Sequence, residues 1–331
     1  MFCCLSKKDA LMTQRVLSRK GLSFSFGGET GYYVALLILG ATGIAFAPIF
    51  AKLATETDGL GAGGISPVAV AFWRLGLSVP LFYWISRKAR RARRVAPNHP
   101  KSKLWLLLLP GVFFAGDLAA WHWAFEYTSV ANATLEANMA SIFVALFGWL
   151  VLKEKLNWRF PVGMGVAVFG LVVLVLAGST MGESHLVGDL LGILTAFCYA
   201  GYLSSVKVLT RYFDVGRIMF VATFVGSLVL LLGLLLTYGN LGTGVLIPQN
   251  NQTWVWLVGL AVVPQVTGQA LIALGMSKLP VSFSAVSLLW QPVVTALMGW
   301  LILNQPMSLP QWLAGAMILT GIYLARRGAE A

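Results

Sequence analysis

Ala145-Leu-Phe-Gly-Trp-Leu-Val-Leu152 returns as Ala296-Leu-Met-Gly-Trp-Leu-Ile-Leu303, 151 residues later. Six of the eight positions are identical, the Gly-Trp pair among them, and the register continues without a gap to Gly170 and Gly321. Isolated Leu or Val matches between apolar segments carry little weight, but a cluster that includes a Trp carries more. The repeat reads as a duplicated membrane module, a construction shared by many transporter folds.

Composition agrees. Of 331 residues, 58% are hydrophobic and 11% charged, against about 25% charged in a soluble domain. A polar, basic tail, residues 1–30, comes first and reads as flexible and cytoplasmic. Ten apolar segments follow, at Tyr32–Ala54, Pro67–Ser86, Leu104–Glu126, Ala131–Leu152, Trp158–Ala177, Gly188–Leu209, Gly216–Tyr238, Trp254–Ser277, Val281–Leu303 and Gln311–Ala325. Each is near the ~20 residues that cross a bilayer as a helix. Backbone groups in lipid must bond within their own segment, and the alternation of barrel strands is missing, so the segments are helical. The fold class is an all-α polytopic membrane protein with ten transmembrane helices.

Charge tests this layout. With the N-terminus inside, 22 of the 24 Lys and Arg fall in inside connectors and tails, and the five outside loops hold none. The remaining two, Lys52 and Arg74, lie within or at the edge of segments. Basic residues collect on the cytoplasmic side of inner-membrane proteins, which puts both termini in the cytoplasm. The net charge of +12 therefore reports orientation, and nucleic acid is set aside as a partner. No cleavable signal stands out, so the first segment is expected to act as an uncleaved one. Cys3, Cys4 and Cys198 show neither metal nor disulfide spacing.

Five segments per half turn the second copy upside down. The connector after segment 2 carries eight basic residues and its counterpart after segment 7 none. The connector between segments 1 and 2 carries none, and its counterpart between segments 6 and 7 carries three. Charge and repeat thus agree on two inverted-topology five-helix repeats, residues 31–178 and 188–326.

The chain also resembles the drug/metabolite transporter superfamily in its ten-helix EamA-like branch. The likeness lies in Ala71-Phe-Trp-Arg-Leu75, in Ala124-Phe-Glu-Tyr-Thr-Ser-Val-Ala131, in Gly148-Trp-Leu-Val-Leu-Lys-Glu154 and in Ala273-Leu-Gly-Met-Ser-Lys-Leu-Pro280 through Gln291-Pro292. It covers about residues 32 to 326. The chain departs from the family pattern at Glu136, where an apolar or small residue is usual, at Ser141, where Pro is frequent, and at Asn304-Gln-Pro306. The resemblance implies a transporter and leaves the cargo open, with amino acids or related metabolites leading and nucleotide-linked sugars as the alternative.

Ionisable groups inside a membrane are costly, so each is a functional candidate. Arg74, Asp117, His122, Glu126 and Glu136 are such groups. His122 and Glu136 sit at similar depth on the two arms of the hairpin between segments 3 and 4. They read either as a proton or substrate-amine site or as a structural pair. Asp117 reads as a proton or cation site, or as a packed polar residue. The Arg74 fork matches a substrate carboxylate, while an interhelical clamp to Asp117 or Glu136 is the favoured reading. Asn132, Glu136, Met139, Ala140 and Phe143 share one helix face. At the 151 offset that face maps onto Phe283, Ser287, Trp290, Gln291 and Val294. Inverted copies of one face should meet near the substrate. Pro264-Gln-Val-Thr-Gly-Gln269 puts Gln265 and Gln269 on one face beside a helix-breaking Pro, with Pro110-Gly111 in the corresponding part of the first half. Among aromatics inside segments (Trp73, Trp121, Trp123, Tyr199, Tyr202, Trp290), Trp121, Tyr202 and Trp290 are kept as cavity candidates.

The expected substrate set is thus Trp121, His122, Glu136, Met139, Tyr202, Gln265, Gln269, Trp290 and Gln291. The expected proton or ion-pair set is Arg74, Asp117, His122 and Glu136. No phosphate-cradling loop, His-Glu-x-x-His or Ser-His-Asp set is present, so neither cofactor nor metal is expected and an enzyme is not. The expected partners are a small molecule and the bilayer. A membrane enzyme or structural subunit is the remaining alternative, and the short loops speak against it.

Overall fold

The structure is a computed structural model and describes residues 29–58, 64–92, 101–124, 127, 136–178, 186–239, 245–303 and 307–329. The basic tail through residue 28, Glu126, Asn132 and most of the turn between segments 3 and 4 lie outside the described residues.

Prolines mark where the helices start. Helix α1 (Glu29–Ala45) breaks at Phe46, and α2 (Ala47–Asp58) resumes with Pro48 in its second position. Likewise α3 (Pro67–Gly76) gives way to α4 (Val79–Ala92), with Pro80 second. A 3₁₀ stretch, Lys101–Leu108, turns into α5 (Leu109–Ala124) with Pro110 second. Proline lacks an N–H and presets φ, so the first turn of a helix accommodates it at no cost in hydrogen bonds. The first half continues through α6 (Ala140–Leu150) and α7 (Arg159–Gly178).

The second half holds α8 (Leu186–Leu209) and α9 (Val215–Tyr238), then α10 (Asn251–Leu260) and α11 (Gln269–Lys278). Between α10 and α11, Ala261–Gly268 is wound as a π-helix around the internal Pro264. A wider turn absorbs the hydrogen bond that proline removes, and such segments recur at functional sites. The chain closes with α12 (Val281–Ser287), α13 (Trp290–Leu303) and α14 (Leu309–Ala329).

Eight of the continuous helical stretches among the described residues are long and apolar enough to cross a membrane. Two further stretches expected to span are helical as well: Glu136–Leu150, which is shorter, and α14. Trp149, Leu150, Phe169 and Leu236 point outward and are more than half exposed. An apolar exterior of this kind suits acyl chains, and the chain is a multi-pass membrane protein.

The packing pairs the two halves. Helix α7 lies along α14, α6 against α12, and α3 and α4 against α9. The α5–α8 contact of segments 3 and 6 has its counterpart in α11 against α1, segments 8 and 1. Gly40 on α1 lies against the Gly268 carbonyl, where a Cβ would stand 2.7 Å from that oxygen. Small residues let membrane helices approach backbone to backbone, where dispersion replaces the missing hydrophobic drive.

Both ends of the bundle carry long-range caps. At one end Asp58 accepts hydrogen bonds from the Ile65 and Asn250 amides, each at 2.7 Å, and from the Thr253 hydroxyl at 3.3 Å. At the other, Glu154 accepts from the Val281 and Ser282 amides at 2.7 and 3.0 Å, the first amides of α12. Helix N-termini expose unpaired N–H groups, and a carboxylate satisfies them with charge in its favour. Lys207 does the converse, donating to the Met276 carbonyl at 2.6 Å and the Leu279 carbonyl at 2.5 Å at the end of α11.

Candidate functional site

The buried polar residues gather where the π-helical turn faces α3, α5 and α8. Arg74 on α3 is 6% exposed, and its Nε donates to Gln265 Oε1 at 3.0 Å. Arginine carries only donors, so Gln265 must present its oxygen. Gln265 lies within the π-helical turn, which also receives Ser78: its hydroxyl donates to the Arg74 carbonyl at 2.6 Å and to the Ala261 carbonyl at 3.2 Å. The Arg74 guanidinium sits over the Phe114 ring, 5.6 Å from its centroid. Its terminal nitrogens make no hydrogen bond among the described residues and are not sealed from solvent.

One turn further, Tyr202 on α8 donates to Gln269 Oε1 at 3.2 Å. Its ring stacks on Phe114 at 4.4 Å between centroids and lies parallel to Tyr199 at 6.0 Å. The Tyr199 hydroxyl lies beside Gln291 and Gln269. It forms no well-made hydrogen bond, and neither does the Gln291 amide nitrogen. Each such orphaned polar atom costs about 1–3 kcal/mol.

Asp117, on α5 one turn after Phe114, is 8% exposed. It lies within electrostatic range of Arg74, Tyr199 and Tyr202. Its carboxylate accepts no hydrogen bond and makes no ion pair within 4.0 Å among the described residues. Arg74 makes no ion pair with Asp117 or Glu136 at that distance either, and its anchor is Gln265.

The other expected residues lie around this centre. His122 contacts the Leu118 carbonyl through Nδ1 at 2.7 Å and meets the Trp121 ring edge-on at 5.0 Å. The Glu136 carboxyl group rests against Gly192 of α8, leaving no room there for a larger residue. Trp290 Nε1 donates to the Thr42 hydroxyl at 2.9 Å, tying α13 to α1. Met139 is 37% exposed. The structure thus brings together Arg74, Asp117, Tyr202, Gln265, Gln269 and Gln291. Tyr199 and Phe114 join them, although neither belongs to the expected substrate set. Tyr199 lies three residues from Tyr202 on the same helix face, and that spacing is the signal the sequence offers.

Apolar helices enclosing a polar centre drawn from both halves of the chain describe a membrane transporter. The chain belongs to the EamA-like transporter family, whose model matches residues 31–176 and again 186–327. It is similar to an uncharacterized transporter of Archaeoglobus fulgidus, 27% identical over 221 residues that make up 67% of this chain and 76% of the relative. It is also similar to the pseudopaline exporter CntI of Pseudomonas aeruginosa, 26% identical over 234 residues, 70% of this chain and 76% of that one. A shorter match of 76 residues, 23% of this chain and 21% of the relative, is 33% identical to solute carrier family 35 member G1 of Mus musculus. A solved crystal structure superposes on 88% of this chain and 98% of its own with a TM-score of 0.69 at 18% identity, a likeness of fold alone.

Proposed function

We propose that the protein is a secondary exporter of small metabolites, amino acids or related compounds first among them, working by alternating access. The observation that carries this is the polar centre itself. Arg74, Phe114 and Asp117 come from the first repeat, and Tyr199, Tyr202, Gln265, Gln269 and Gln291 from the second. Two halves that rock about a shared centre expose it to each side in turn. Export as the direction rests on the likeness to CntI, a named exporter.

Ten spans in two inverted repeats, 31–178 and 188–326, suit the packing. The α7–α14 contact of Gly163 with Gly321 recurs with the repeats exchanged as Gly170 with Ala314, and the two helices run antiparallel. A two-fold axis lying across the helices produces that pattern, and one lying along them would make the pair parallel. The charge bias supports both termini in the cytoplasm and a cell inner membrane as the location.

Counterflow into proteoliposomes preloaded with a panel of amino acids and nucleotide sugars tests the cargo. Saturable exchange of an amino acid is the expected result, and exchange of nucleotide sugars alone would replace it. Repeating the assay with a pH gradient tests proton coupling through Glu136, Asp117 or His122. Glu136→Gln is expected to remove the pH dependence, and an unchanged pH–rate profile takes Glu136 out of the mechanism.

A further inference from the structure

The buried charges in the centre are not spent on one another. Arg74 and Asp117 are both more than nine-tenths buried and feel each other's field, yet no ion pair joins them within 4.0 Å. The Nε edge of Arg74 is used by Gln265 and one of its faces looks onto Phe114. What remains is the edge formed by the two terminal nitrogens, the fork that fits a carboxylate with two parallel hydrogen bonds. Asp117 keeps its whole acceptor capacity, because nothing among the described residues donates to it. Beside Arg74 stand the stacked rings of Phe114, Tyr202 and Tyr199. The Tyr199 hydroxyl and the Gln291 amide nitrogen are two further buried polar atoms with no well-made hydrogen bond.

We propose that Arg74 and Asp117 are the two poles of a zwitterion site, the Arg74 fork taking a carboxylate and Asp117 an ammonium group. This rests on the transporter reading and adds to it the class of cargo and the orientation in which it is held. A buried charge without a partner is costly, and a cargo bearing one charge satisfies only one pole. An anion held at Arg74 faces the uncompensated carboxylate of Asp117. A cation held at Asp117 faces uncompensated Arg74. A cargo that carries both charges settles both, and the aromatic rings accept an apolar side chain. A diphosphate-linked sugar fits poorly, since its charges meet one guanidinium and are repelled by the carboxylate. The Tyr199 hydroxyl and Gln291 amide then serve as further partners for the cargo's polar atoms.

The test uses the full chain in proteoliposomes and three labelled probes: L-phenylalanine, L-phenylalaninamide, which lacks the carboxylate, and 3-phenylpropionate, which lacks the amine. Uptake is read above the leak into empty vesicles. The wild-type protein is expected to carry L-phenylalanine at least about 10-fold faster than either analogue, since a site built for a polar group rejects a ligand without it. Asp117→Asn is expected to shift preference towards 3-phenylpropionate, and Arg74→Gln towards L-phenylalaninamide. A gain of uptake for one analogue cannot come from misfolding. If either variant fails to fold, judged by size-exclusion profile, the wild-type selectivity alone decides. Wild-type uptake of an analogue as fast as L-phenylalanine overturns the two poles and leaves an amino-acid transporter standing. So does equal loss of all three probes in both folded variants. Uptake of none of the three overturns the poles together with the proposed cargo, and exchange in the wider panel then shows whether transport itself survives.

Discussion

Gly163 and Gly321 face each other so closely that a Cβ built on either would stand 2.6 Å from the carbonyl oxygen of the other. The same contact recurs a few residues away, where a Cβ on Gly170 would meet the Ala314 oxygen at 3.0 Å. Gly163 and Ala314 are counterparts at the 151 offset, and so are Gly170 and Gly321. One contact has therefore been made twice, with the roles of the repeats exchanged.

This seam is the first place to test the packing. Gly321→Ala must push its Cβ into the backbone of α7, an overpacking expected to cost roughly 1–3 kcal/mol. A lower thermal midpoint in detergent is the readout. Gly165 lies on the same helix as Gly163, but a Cβ there meets nothing within 4 Å. Gly165→Ala should change stability by no more than about 1 kcal/mol, in the stabilising direction, because Ala is the better helix former. Equal melting of the two variants would show that close approach of α7 and α14 is not what holds the halves together.

The seam also shows how much the sequence makes legible. The 151-residue register pairs Gly170 with Gly321, since small residues and a Trp kept their places through the duplication. The segments are legible because lipid leaves helices as the only choice. The breaks at Phe46 and Leu77 show in the sequence only as Pro48 and Pro80, since proline starts a helix as readily as it bends one. The site is legible in part. Arg74, Asp117, Tyr202, Gln265, Gln269 and Gln291 stand out as polar or aromatic residues in apolar runs. Their partnerships do not, because Arg74 and Gln265 are 191 residues apart and no local spacing encodes that contact. The capping roles of Glu154 and Asp58 are hidden for the same reason, since amides they cap come from the other half of the chain.

Glu154 owes its position to the turn before it. Lys153 has a positive φ of 55°, and the Glu154 amide bonds back to the Gly148 carbonyl at 3.0 Å, closing α6 in a left-handed cap. That turn throws the Glu154 side chain across to α12. Glycine adopts this conformation without the Cβ conflict, which costs roughly 1–2 kcal/mol in other residues. Lys153→Gly is therefore expected to leave the fold intact and raise the thermal midpoint slightly. Glu154→Ala should lower the stability by about 1.5–3 kcal/mol, the usual worth of hydrogen bonds to a charged group. Faster amide exchange at Val281 and Ser282 in Glu154→Ala would locate the loss, and unchanged exchange there would show that Glu154 is dispensable to α12.

Tyr202 and Gln269 separate stability from transport. Tyr202→Phe keeps the stack on Phe114 and removes one neutral hydrogen bond, so a loss of about 1 kcal/mol is expected. Gln269→Leu leaves the Tyr202 hydroxyl with only the Met219 sulfur, at 3.7 Å, within reach. A buried hydroxyl deprived of its acceptor costs more than a deleted hydrogen bond, about 1–3 kcal/mol, so Gln269→Leu should melt below Tyr202→Phe. Counterflow gives the second readout. If the pair only braces α8 against α11, rates at saturating substrate and KM should follow the loss of stability, with the leucine variant the worse. If it lines the cargo path, Tyr202→Phe should raise KM several-fold, since a binding contact is worth roughly 1 kcal/mol, while its melting stays above that of Gln269→Leu. The two roles thus differ in whether KM in Tyr202→Phe follows the loss of stability or exceeds it, and one set of melting and counterflow curves decides between them.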